Sequence, residues 1–281
     1  MISIVVPTCN ERSVIARTLE TMTNGANSSE LDVIVVCNGC TDDTATIARS
    51  FGRPVRVIET ELPSKPQALN LGDQAAESFP RLYIDADVMI TIDTIRKLAK
   101  RLDFGDVLAV APTPKIDLAG CSWPVRAFID IRSRLPSAKE GIGGSGVYAL
   151  SEAGHRRIRE FPEVTADDGY VRIQFRPEER ETLSAASSTV FAPATIKDLI
   201  ATKTRAHYGS FELAKLFPEL WRNNGESNMS ALGGLFTYPW LWHKLLIYSS
   251  ITIIAKCKAR YQLLRKTSAW QRDDTSRVGA K

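Results

Sequence analysis

The sequence predicts an α/β fold: an open, mostly parallel sheet flanked by helices, followed by a C-terminal helical extension. Two observations support this prediction. Over residues 1–100, short apolar runs of the kind buried on both faces of a parallel sheet alternate with stretches of helical spacing. Polar and acidic residues follow these runs directly, at the strand ends where open α/β sheets bind their ligands.

The composition is that of one globular enzyme of moderate size. The chain has 281 residues, of which 44% are apolar and 24% are charged. Its five cysteines form no even framework in a chain of this length, which favours a reducing compartment over a disulfide scaffold. The N-terminal residues Met1–Pro7 lack the basic and long apolar regions of a signal peptide, so we expect a strand there.

The formal charge of +4 is unevenly distributed along the chain. The residues from Lys256 onward contain eight cations and two aspartates, which gives this tail a net charge of +6. The remainder therefore carries a charge of −2, which argues against a nucleic-acid-binding core.

The first part of the chain alternates between strands and helices. The predicted strands are Ile2–Val6, Val33–Val36, Val55–Ile58 and Leu82–Ile84. Helices are predicted at Glu11–Met22 and Lys65–Ala76, and Thr41 is placed to cap another helix after the second strand. At the carboxyl edge of the resulting sheet, one ligand could touch the four loops Thr8–Glu11, Cys37–Asp42, Leu62–Lys65 and Asp85–Asp87.

The second part of the chain is less regular. Strands are expected at Val107–Ala111 and Val147–Leu150, and a late strand ends in Thr189–Phe191. The predicted helices are Ser151–Arg159 and Ile196–Leu216, and Thr165–Gly169 is expected to be a polar loop.

Two aspartates, Asp85 and Asp87, stand at the end of the fourth predicted strand. Side chains at i and i+2 of an extended backbone point the same way, so both carboxylates face one side. Hard oxygen ligands held this close suit Mg²⁺ or Mn²⁺, with a diphosphate completing the coordination shell. The alternative is a pair of solvated acids at a strand end.

Other motifs have simpler explanations. Gly141–Gly146 matches the dinucleotide-binding pattern G-x-G-x-x-G, but a strand-like segment follows it where a helix is required. Cys37 and Cys40 lie between a strand and a helix, as in thiol redox proteins, although a tight turn around Gly39 is favoured. Cys9 lies at the same sheet edge, but no paired histidine completes a zinc site. The chain has no G-x-S-x-G elbow and no Walker loop.

Several segments, taken in order, carry a family resemblance. They are Ile4–Glu11, Val35–Thr44, Ser64–Gly72, Ile84–Asp87, Gly143–Leu150 and Ala166–Asp168. Together they resemble the family 2 inverting glycosyltransferases with the GT-A fold. The resemblance is strong over residues 1–100 and moderate to residue 210.

The resemblance implies where the nucleotide of a nucleotide-sugar would bind. Pro7, Thr8 and Glu11 match the loop that flanks the base and the ribose in that family. Asn38 stands where the family usually has an aspartate that accepts a hydrogen bond from uracil N3–H. The Asn38 carbonyl can still accept this bond, although it lacks the charge.

The resemblance also implies a diphosphate and metal site. Lys65 matches a basic position near the diphosphate. Asp85 would lie near the ribose, with a second role as a metal ligand. Asp87 would ligate the Mg²⁺ or Mn²⁺ ion that bridges both phosphates.

An acidic pair supplies the implied catalytic base. The acceptor hydroxyl must lose a proton as it attacks the anomeric carbon from the far side. Asp167 and Asp168 match the family's acidic pair, whose second member usually acts as the base, so Asp168 is preferred and Asp167 is the fallback. Acids at a helix start are the structural alternative. The Gln-x-x-Arg-Trp signature of processive synthases is absent, which favours transfer of a single sugar.

The C-terminal segment is aromatic, apolar and then basic. Lys244 interrupts the apolar run Leu232–Ala255, which leaves Leu245–Ala255 uninterrupted and too short to span a bilayer. Aromatic residues and cations beside a short apolar helix suit a position in the membrane interface. A helix packed on the domain or on a partner in a homodimer is the alternative.

These predictions combine into a domain plan and a function. Residues 1–225 would form the GT-A domain, with a nucleotide-binding half at 1–100 and an acceptor half at 101–225, followed by the segment 226–281. The enzyme would move one hexose from a nucleotide-sugar, preferably a UDP-sugar, to a hydroxyl of a glycan or lipid-linked acceptor. It would serve cell-surface polysaccharide or glycolipid synthesis from the cytoplasm, at the inner face of the cell membrane. The alternatives are a nucleotide-binding or regulatory protein without turnover and a thiol oxidoreductase using Cys37 and Cys40.

Overall fold

The computed structural model describes residues 1–225 and 228–265, and within these ranges seven strands form one sheet. The strands are β1 (Ile2–Thr8), β2 (Leu31–Asn38), β3 (Val55–Thr60), β4 (Arg81–Ile84), β5 (Ala109–Asp117), β6 (Val147–Leu150) and β7 (Arg180–Phe191). The helices are α1 (Ile15–Thr23), α2 (Thr44–Arg49), α3 (Lys65–Ala75), α4 (Ile92–Leu102), α5 (Trp123–Ser133), α6 (Glu152–Ile158), α7 (Asp167–Gln174), α8 (Ile196–Leu216), α9 (Pro218–Trp221), α10 (Met229–Leu235) and α11 (Trp242–Arg265).

The sheet has the strand order β3-β2-β1-β4-β6-β5-β7. Strands β3, β2, β1 and β4 are parallel to one another, whereas β6 runs antiparallel to both β4 and β5. The predicted open, mostly parallel sheet is therefore confirmed. The chain moves outward from β1 to β3 and then crosses back to β4 on the other side of β1, and such a crossover point is where open sheets bind ligands.

Two compact units share the described residues. The first comprises Met1–Lys115, Gly141–Glu163 and Gln174–Val190, and it contains most of the sheet. The second comprises Ile116–Glu140, Val164–Ile173 and the described residues from Phe191 onward. The domain plan with boundaries at residues 100 and 225 stays a prediction.

The core of the first unit forms on the apolar strands β1 and β2. All seven residues of β1 are buried, as expected for a central strand covered on both faces. Ile15, Leu19 and Met22 lie along one face of α1 and pack into the same cluster as the inner strands. A fully buried side chain of this size contributes about 1.5–3 kcal/mol. Helix α3 covers the other face so closely that a Cβ on Gly72 would lie 2.4 Å from Val5 Cγ1.

The second unit is built on α5, α8 and α11. Val125 and Phe128 of α5, Leu199 of α8 and Ile251 of α11 belong to one buried cluster. The predicted apolar C-terminal helix is thus present and longer than expected, and one face of it packs on the protein. Within residues 1–225 and 228–265, no helix combines the length and the apolar character needed to cross a bilayer. Half of the cations in the predicted basic tail lie outside the described residues, namely Lys266, Arg272, Arg277 and Lys281.

Two local predictions require correction, and two helices were not predicted. The helix after β2 begins at Thr44 with Asp43 as its N-cap, whereas Thr41 donates its N–H to Asn10 Oδ1. The segment Thr165–Gly169 is not a loop throughout, because α7 begins within it at Asp167. Helices α4 and α5 occupy stretches for which no element was predicted. The apolar spacing of α4 carried the signal, since its buried residues recur at three- and four-residue intervals.

Candidate active site

The loops that follow β1 and β2 are joined by hydrogen bonds. The Cys40 thiol donates to the Thr8 carbonyl at 3.4 Å, and the Asn10 N–H donates to Cys40 Sγ at 3.4 Å. The Thr41 N–H donates to Asn10 Oδ1 at 2.7 Å. The structure thus brings together two of the four predicted loops at the carboxyl edge of the sheet.

The predicted base-binding residues of the first loop are held by these contacts. Pro7 and Thr8 are the last residues of β1, and both are buried. Glu11 is also buried, and its N–H donates to Thr44 Oγ1 at 2.8 Å. Its carbonyl accepts the N–H groups of the residues that open α1. The loop is therefore held in place at both ends, as expected of a loop that lines a binding site.

Asn38 lies at the end of β2, opposite Thr60 of β3. The Gly39 N–H donates to the Thr60 carbonyl at 2.8 Å, which continues the strand pairing one residue further. Gly39 has a φ of 63°, and a Cβ there would lie 2.9 Å from Pro63 Cβ. Glycine is therefore required at this position by both its backbone angle and its close neighbour. This confirms the tight turn that the sequence favoured.

The Cys37 thiol donates a hydrogen bond to the sulfur of Cys40. This bond lowers the pKa of Cys40 to about 7. The same bond, together with burial, raises the pKa of the Cys37 thiol. Cys40 is half-buried and Cys37 is fully buried, so a reactive thiolate would form at Cys40.

The Asp85-Ala86-Asp87 turn follows β4 directly. Ala86 is buried in the main core, and its carbonyl accepts the Thr18 hydroxyl at 2.7 Å. Asp85 and Asp87 on either side of it are half-buried. Anchoring the central residue in the core leaves the two carboxylates at the surface of the sheet edge, as the i and i+2 spacing predicted.

Lys65 contacts this turn from the start of α3. Its Nζ donates to Asp85 Oδ1 at 2.8 Å. Ser64 caps the helix by accepting the Gln67 N–H at 3.2 Å, and Pro66 favours the first helical turn. The capped helix therefore fixes the position of Lys65 beside the acidic turn.

Gly146 is a site residue that sequence reasoning did not single out. Its carbonyl accepts the Asp85 N–H at 2.9 Å. Its φ is 64°, and a Cβ there would lie 2.4 Å from Val88 Cγ2 and 3.3 Å from Asp85 Oδ2. The glycine run Gly141–Gly146 thus supports the acidic turn and leads into β6, the strand that the sequence predicts at this position.

The acidic pair Asp167 and Asp168 belongs to the second unit, where it opens α7. Asp167 is buried, whereas Asp168 is half-buried and accepts the Gly169 N–H at 2.7 Å. The Thr165 N–H just before the pair donates to Glu212 Oε2 of α8 at 2.7 Å. Of the two acids, Asp168 is the one with an accessible carboxylate.

The acidic turn fits a divalent cation that arrives with phosphates. Asp85 and Asp87 offer carboxylate oxygens, the ligands that Mg²⁺ and Mn²⁺ prefer. Mg²⁺ in proteins is typically held by one or two carboxylates plus substrate phosphates and water. Among the described residues, no group of three or more His, Cys, Asp or Glu side chains is arranged to hold a metal.

Comparison with known proteins shows which protein family this sequence matches. The sequence profile of glycosyl transferase family 2 matches residues 3–143, about half of the chain. Curated relatives named as uncharacterised glycosyltransferases, from Mycobacterium bovis and Mycobacterium tuberculosis, are 32% identical over 123 residues. That match covers 44% of this chain and 52% of theirs, so the chain spans about half the length of these relatives.

Solved structures share the fold. A mannosyltransferase from Pyrobaculum calidifontis, in complex with GDP-mannose and Mn²⁺, is similar with a TM-score of 0.65 and 19% identity. The similarity covers 95% of this chain and 88% of that one. Glucosyl-3-phosphoglycerate synthase from Mycobacterium tuberculosis, with Mn²⁺, UDP-glucose and phosphoglyceric acid, has a TM-score of 0.56 and 19% identity. The similarity covers 76% of this chain and 79% of that one.

Proposed function

Because the chain belongs to glycosyl transferase family 2 and has the GT-A fold, we propose that it is a metal-dependent, inverting glycosyltransferase. It moves a single hexose from a nucleotide-sugar to a hydroxyl group of a glycan or lipid-linked acceptor. One observation carries this proposal: Lys65 and the Asp85-Ala86-Asp87 turn meet at the carboxyl edge of parallel strands. A cation and two carboxylates at that edge suit a diphosphate and its metal ion.

The proposed donor is a UDP-sugar. Pro7, Thr8 and Glu11 flank the base and the ribose, and the Asn38 carbonyl accepts the uracil N3–H. The Gly39 turn supports this role, because its hydrogen bond to Thr60 and its close approach to Pro63 fix the position of Asn38 at the end of β2. An amide can present either a donor or an acceptor to a base, so Asn38 also leaves room for other bases.

The diphosphate binds next to Lys65, Asp85 and Asp87 in this proposal. Lys65 lies 2.8 Å from Asp85, within reach of an anion that enters the same place. Asp87, with Asp85 beside it, would hold Mn²⁺ or Mg²⁺. When bound, this ion stabilises the negative charge of the departing diphosphate. Mn²⁺ is favoured because both solved relatives contain it.

Asp168 acts as the general base. Its carboxylate takes the proton of the acceptor hydroxyl while the hydroxyl oxygen bonds to the anomeric carbon. The bond from that carbon to the diphosphate breaks in the same step, so the configuration inverts. The accessibility of Asp168, compared with the burial of Asp167, supports the choice between the two acids.

The proposed place of action is the inner face of the cell membrane, in cell-surface polysaccharide or glycolipid synthesis. One face of α11 is buried, whereas the opposite face exposes an apolar stripe, here called the α11 stripe: Trp242, Leu246, Ile253, Tyr261 and Leu264. Cations flank this stripe at Lys256, Lys258, Arg260 and Arg265. An apolar face with a basic border suits an anionic lipid surface.

A panel of UDP- and GDP-sugars, each with and without Mn²⁺, tests the transferase proposal. We expect that one donor releases its nucleoside diphosphate only when Mn²⁺ is present. Release occurs even without an acceptor, because water can slowly take the place of the acceptor hydroxyl. Tight binding without any release, even with a range of acceptors, would favour the nucleotide-binding alternative. Reduction of a disulfide substrate that depends on Cys40 would favour the oxidoreductase alternative, which the thiol pair keeps open.

A further inference from the structure

The second unit contains a group of cations along its three packed helices. On α8, Lys203 and His207 follow the buried Leu199 at four-residue intervals, so they continue its face. On α5, Arg132 follows the buried Phe128 by four residues. The Lys203 ammonium lies 5.9 Å from the centroid of the Phe128 ring. We call Arg132, Lys203, His207 and Lys256 of α11 the basic cluster.

The members of the basic cluster repel one another. Arg132 holds the pKa of Lys203 well below its ordinary value, and burial adds to this. Burial also lowers the pKa of Arg132. The pKa of His207 falls to about 4, first because of burial and then because of Lys256, Lys203 and Arg132. Arg132, Lys203 and His207 are half-buried and Lys256 is exposed, so three helices bring cationic side chains to one partly buried place.

Two acids of the same unit are engaged in other ion pairs. Asp130 of α5 pairs with Lys244 at 2.6 Å and with Arg134 at 3.0 Å. Glu140 pairs with Arg172 at 3.1 Å. Across the described residues, no ion pair joins a carboxylate to either Arg132 or Lys203. Like charges that are desolvated without a counter-charge destabilise a fold, unless a ligand supplies the opposite charge.

We propose that the basic cluster is a binding site for a phosphate group, carried by the acceptor. The acceptor assignment rests on the proposed transferase function, whereas the phosphate site does not. The Arg132 guanidinium can donate two parallel hydrogen bonds to a phosphate, and Lys203 adds a compact charge. The Tyr248 ring of α11 stacks on Phe128 with the ring centroids 4.9 Å apart, so α5 and α11 pack together beside Lys203.

Inorganic phosphate is the first probe. The melting temperature of the full chain should rise with phosphate concentration, because a ligand that binds the folded state stabilises it. Lys203→Met keeps the stem on Phe128 but removes the charge. Without phosphate, this variant should melt above wild type, and its melting temperature should no longer respond to phosphate.

Lys197→Gln is the matched control, because it removes one charge from the same helix at an exposed position. This variant should respond to phosphate as wild type does. Equal responses of wild type, Lys203→Met and Lys197→Gln would overturn the proposal, since the effect would then be a general salt effect.

The titration of His207 gives an independent readout. An anion in the cluster offsets the repulsion from Lys256, Lys203 and Arg132, so saturating phosphate should raise the pKa of His207 above about 4. The C2–H resonance of His207 in proton NMR spectra reports this shift. A pKa that is the same with and without phosphate contradicts binding at this place.

The source of the phosphate is decided by competition. Phosphate should still bind when UDP and Mn²⁺ are saturating, and Lys203→Met should bind UDP and Mn²⁺ as wild type does. Displacement of phosphate by UDP would assign the cluster to the donor and overturn the acceptor assignment.

Vesicles of phosphatidylcholine with and without phosphatidic acid separate a lipid phosphate from a soluble one. Because none of these arms measures transfer, their failure is distinguishable from failure of the transferase proposal.

Discussion

At the scale of single residues, the acidic turn shows how one buried side chain sets the direction of two others. Ala86 is fixed in the core, so Asp85 and Asp87 face the edge of the sheet. We predict that Asp87→Ala abolishes transfer and removes the Mn²⁺ dependence of nucleoside diphosphate binding. The half-buried position of Asp87 means that the free energy of unfolding should change little.

Calorimetric binding of UDP with and without Mn²⁺ checks this prediction, together with urea unfolding. Asp93→Ala is the control, because Asp93 is an exposed acid on α4 that forms an ion pair with Lys97 of its own helix. Full activity of wild type in excess chelator would rule out the metal site.

The second prediction at this scale concerns the base. Asp168→Asn keeps the size and the hydrogen bond to the Gly169 N–H but cannot take a proton. We expect kcat to fall by about 10²-fold or more, with nucleotide affinity unchanged. Steady-state kinetics of Asp168→Asn and Asp167→Asn should be compared. If only Asp167→Asn loses activity, the base is the buried acid.

The third prediction uses the thiol beside the base-binding turn. The pKa of Cys40 is lowered to about 7, so its thiolate fraction rises through neutral pH, earlier than for an ordinary thiol near 8.5. Iodoacetamide should therefore alkylate Cys40 at neutral pH, and UDP should slow the reaction because the turn also holds Asn38. Peptide mass spectrometry measures both effects. If saturating UDP leaves the alkylation rate unchanged, the uracil base of UDP does not bind beside this turn.

At the scale of elements, the start of α7 depends on a close contact with α8. A Cβ on Gly209 would lie 2.6 Å from Ala166 Cβ and 3.2 Å from the Ala166 backbone nitrogen. Gly209→Ala should therefore displace the residues just before Asp167 and Asp168. We expect a loss of about 1–3 kcal/mol in stability, as overpacking costs, and a fall in kcat.

Gly233→Ala is the control for this prediction, because Gly233 lies in α10 with no other atom near its position for a Cβ. Alanine should stabilise that helix by up to about 1 kcal/mol through its higher helix propensity. Urea unfolding and steady-state kinetics compare the two variants. A Gly209→Ala protein as stable and active as wild type would show that α7 tolerates the shift.

At the scale of the whole molecule, the α11 stripe predicts membrane attachment. Leu246 is 69% exposed, and Leu246→Glu should weaken flotation with anionic liposomes. Wild-type binding should fall with salt, since each cation near the surface contributes about 1 kcal/mol, but the apolar stripe should retain part of it. Truncation of α11 is a poor test, because Ile251 and Leu245 belong to the buried core.

Phe104→Glu is the matched control for the flotation assay, because Phe104 is an exposed apolar residue, 72% accessible, in the first unit. It should float as wild type does. Wild-type protein that ignores liposomes, and is a dimer that Leu246→Glu converts to a monomer in light scattering, would assign the stripe to a second copy of the chain.

The sequence alone determined the strands, because their periodicity is local. Apolar runs such as Ile2–Val6 read as buried strands, and the spacing of Asp85 and Asp87 predicted their shared direction. The fold family followed from the order of such segments. The start of α2 was not determined by local sequence, because Thr41 and Asp43 are both residue types that cap helices. The hydrogen bond from the Thr41 N–H to Asn10 engages Thr41 elsewhere, and Asp43 is the N-cap.

Only the tertiary structure decided which distant side chains meet. Lys65 reaches Asp85, Gly146 makes room beside the same carboxylate, and Arg132 influences Lys203 from another helix. No local pattern encodes these pairs, because each depends on how separate elements pack and not on spacing along the chain. Periodicity records which face of an element is buried, whereas the partner on that face is chosen by the packing of the whole unit.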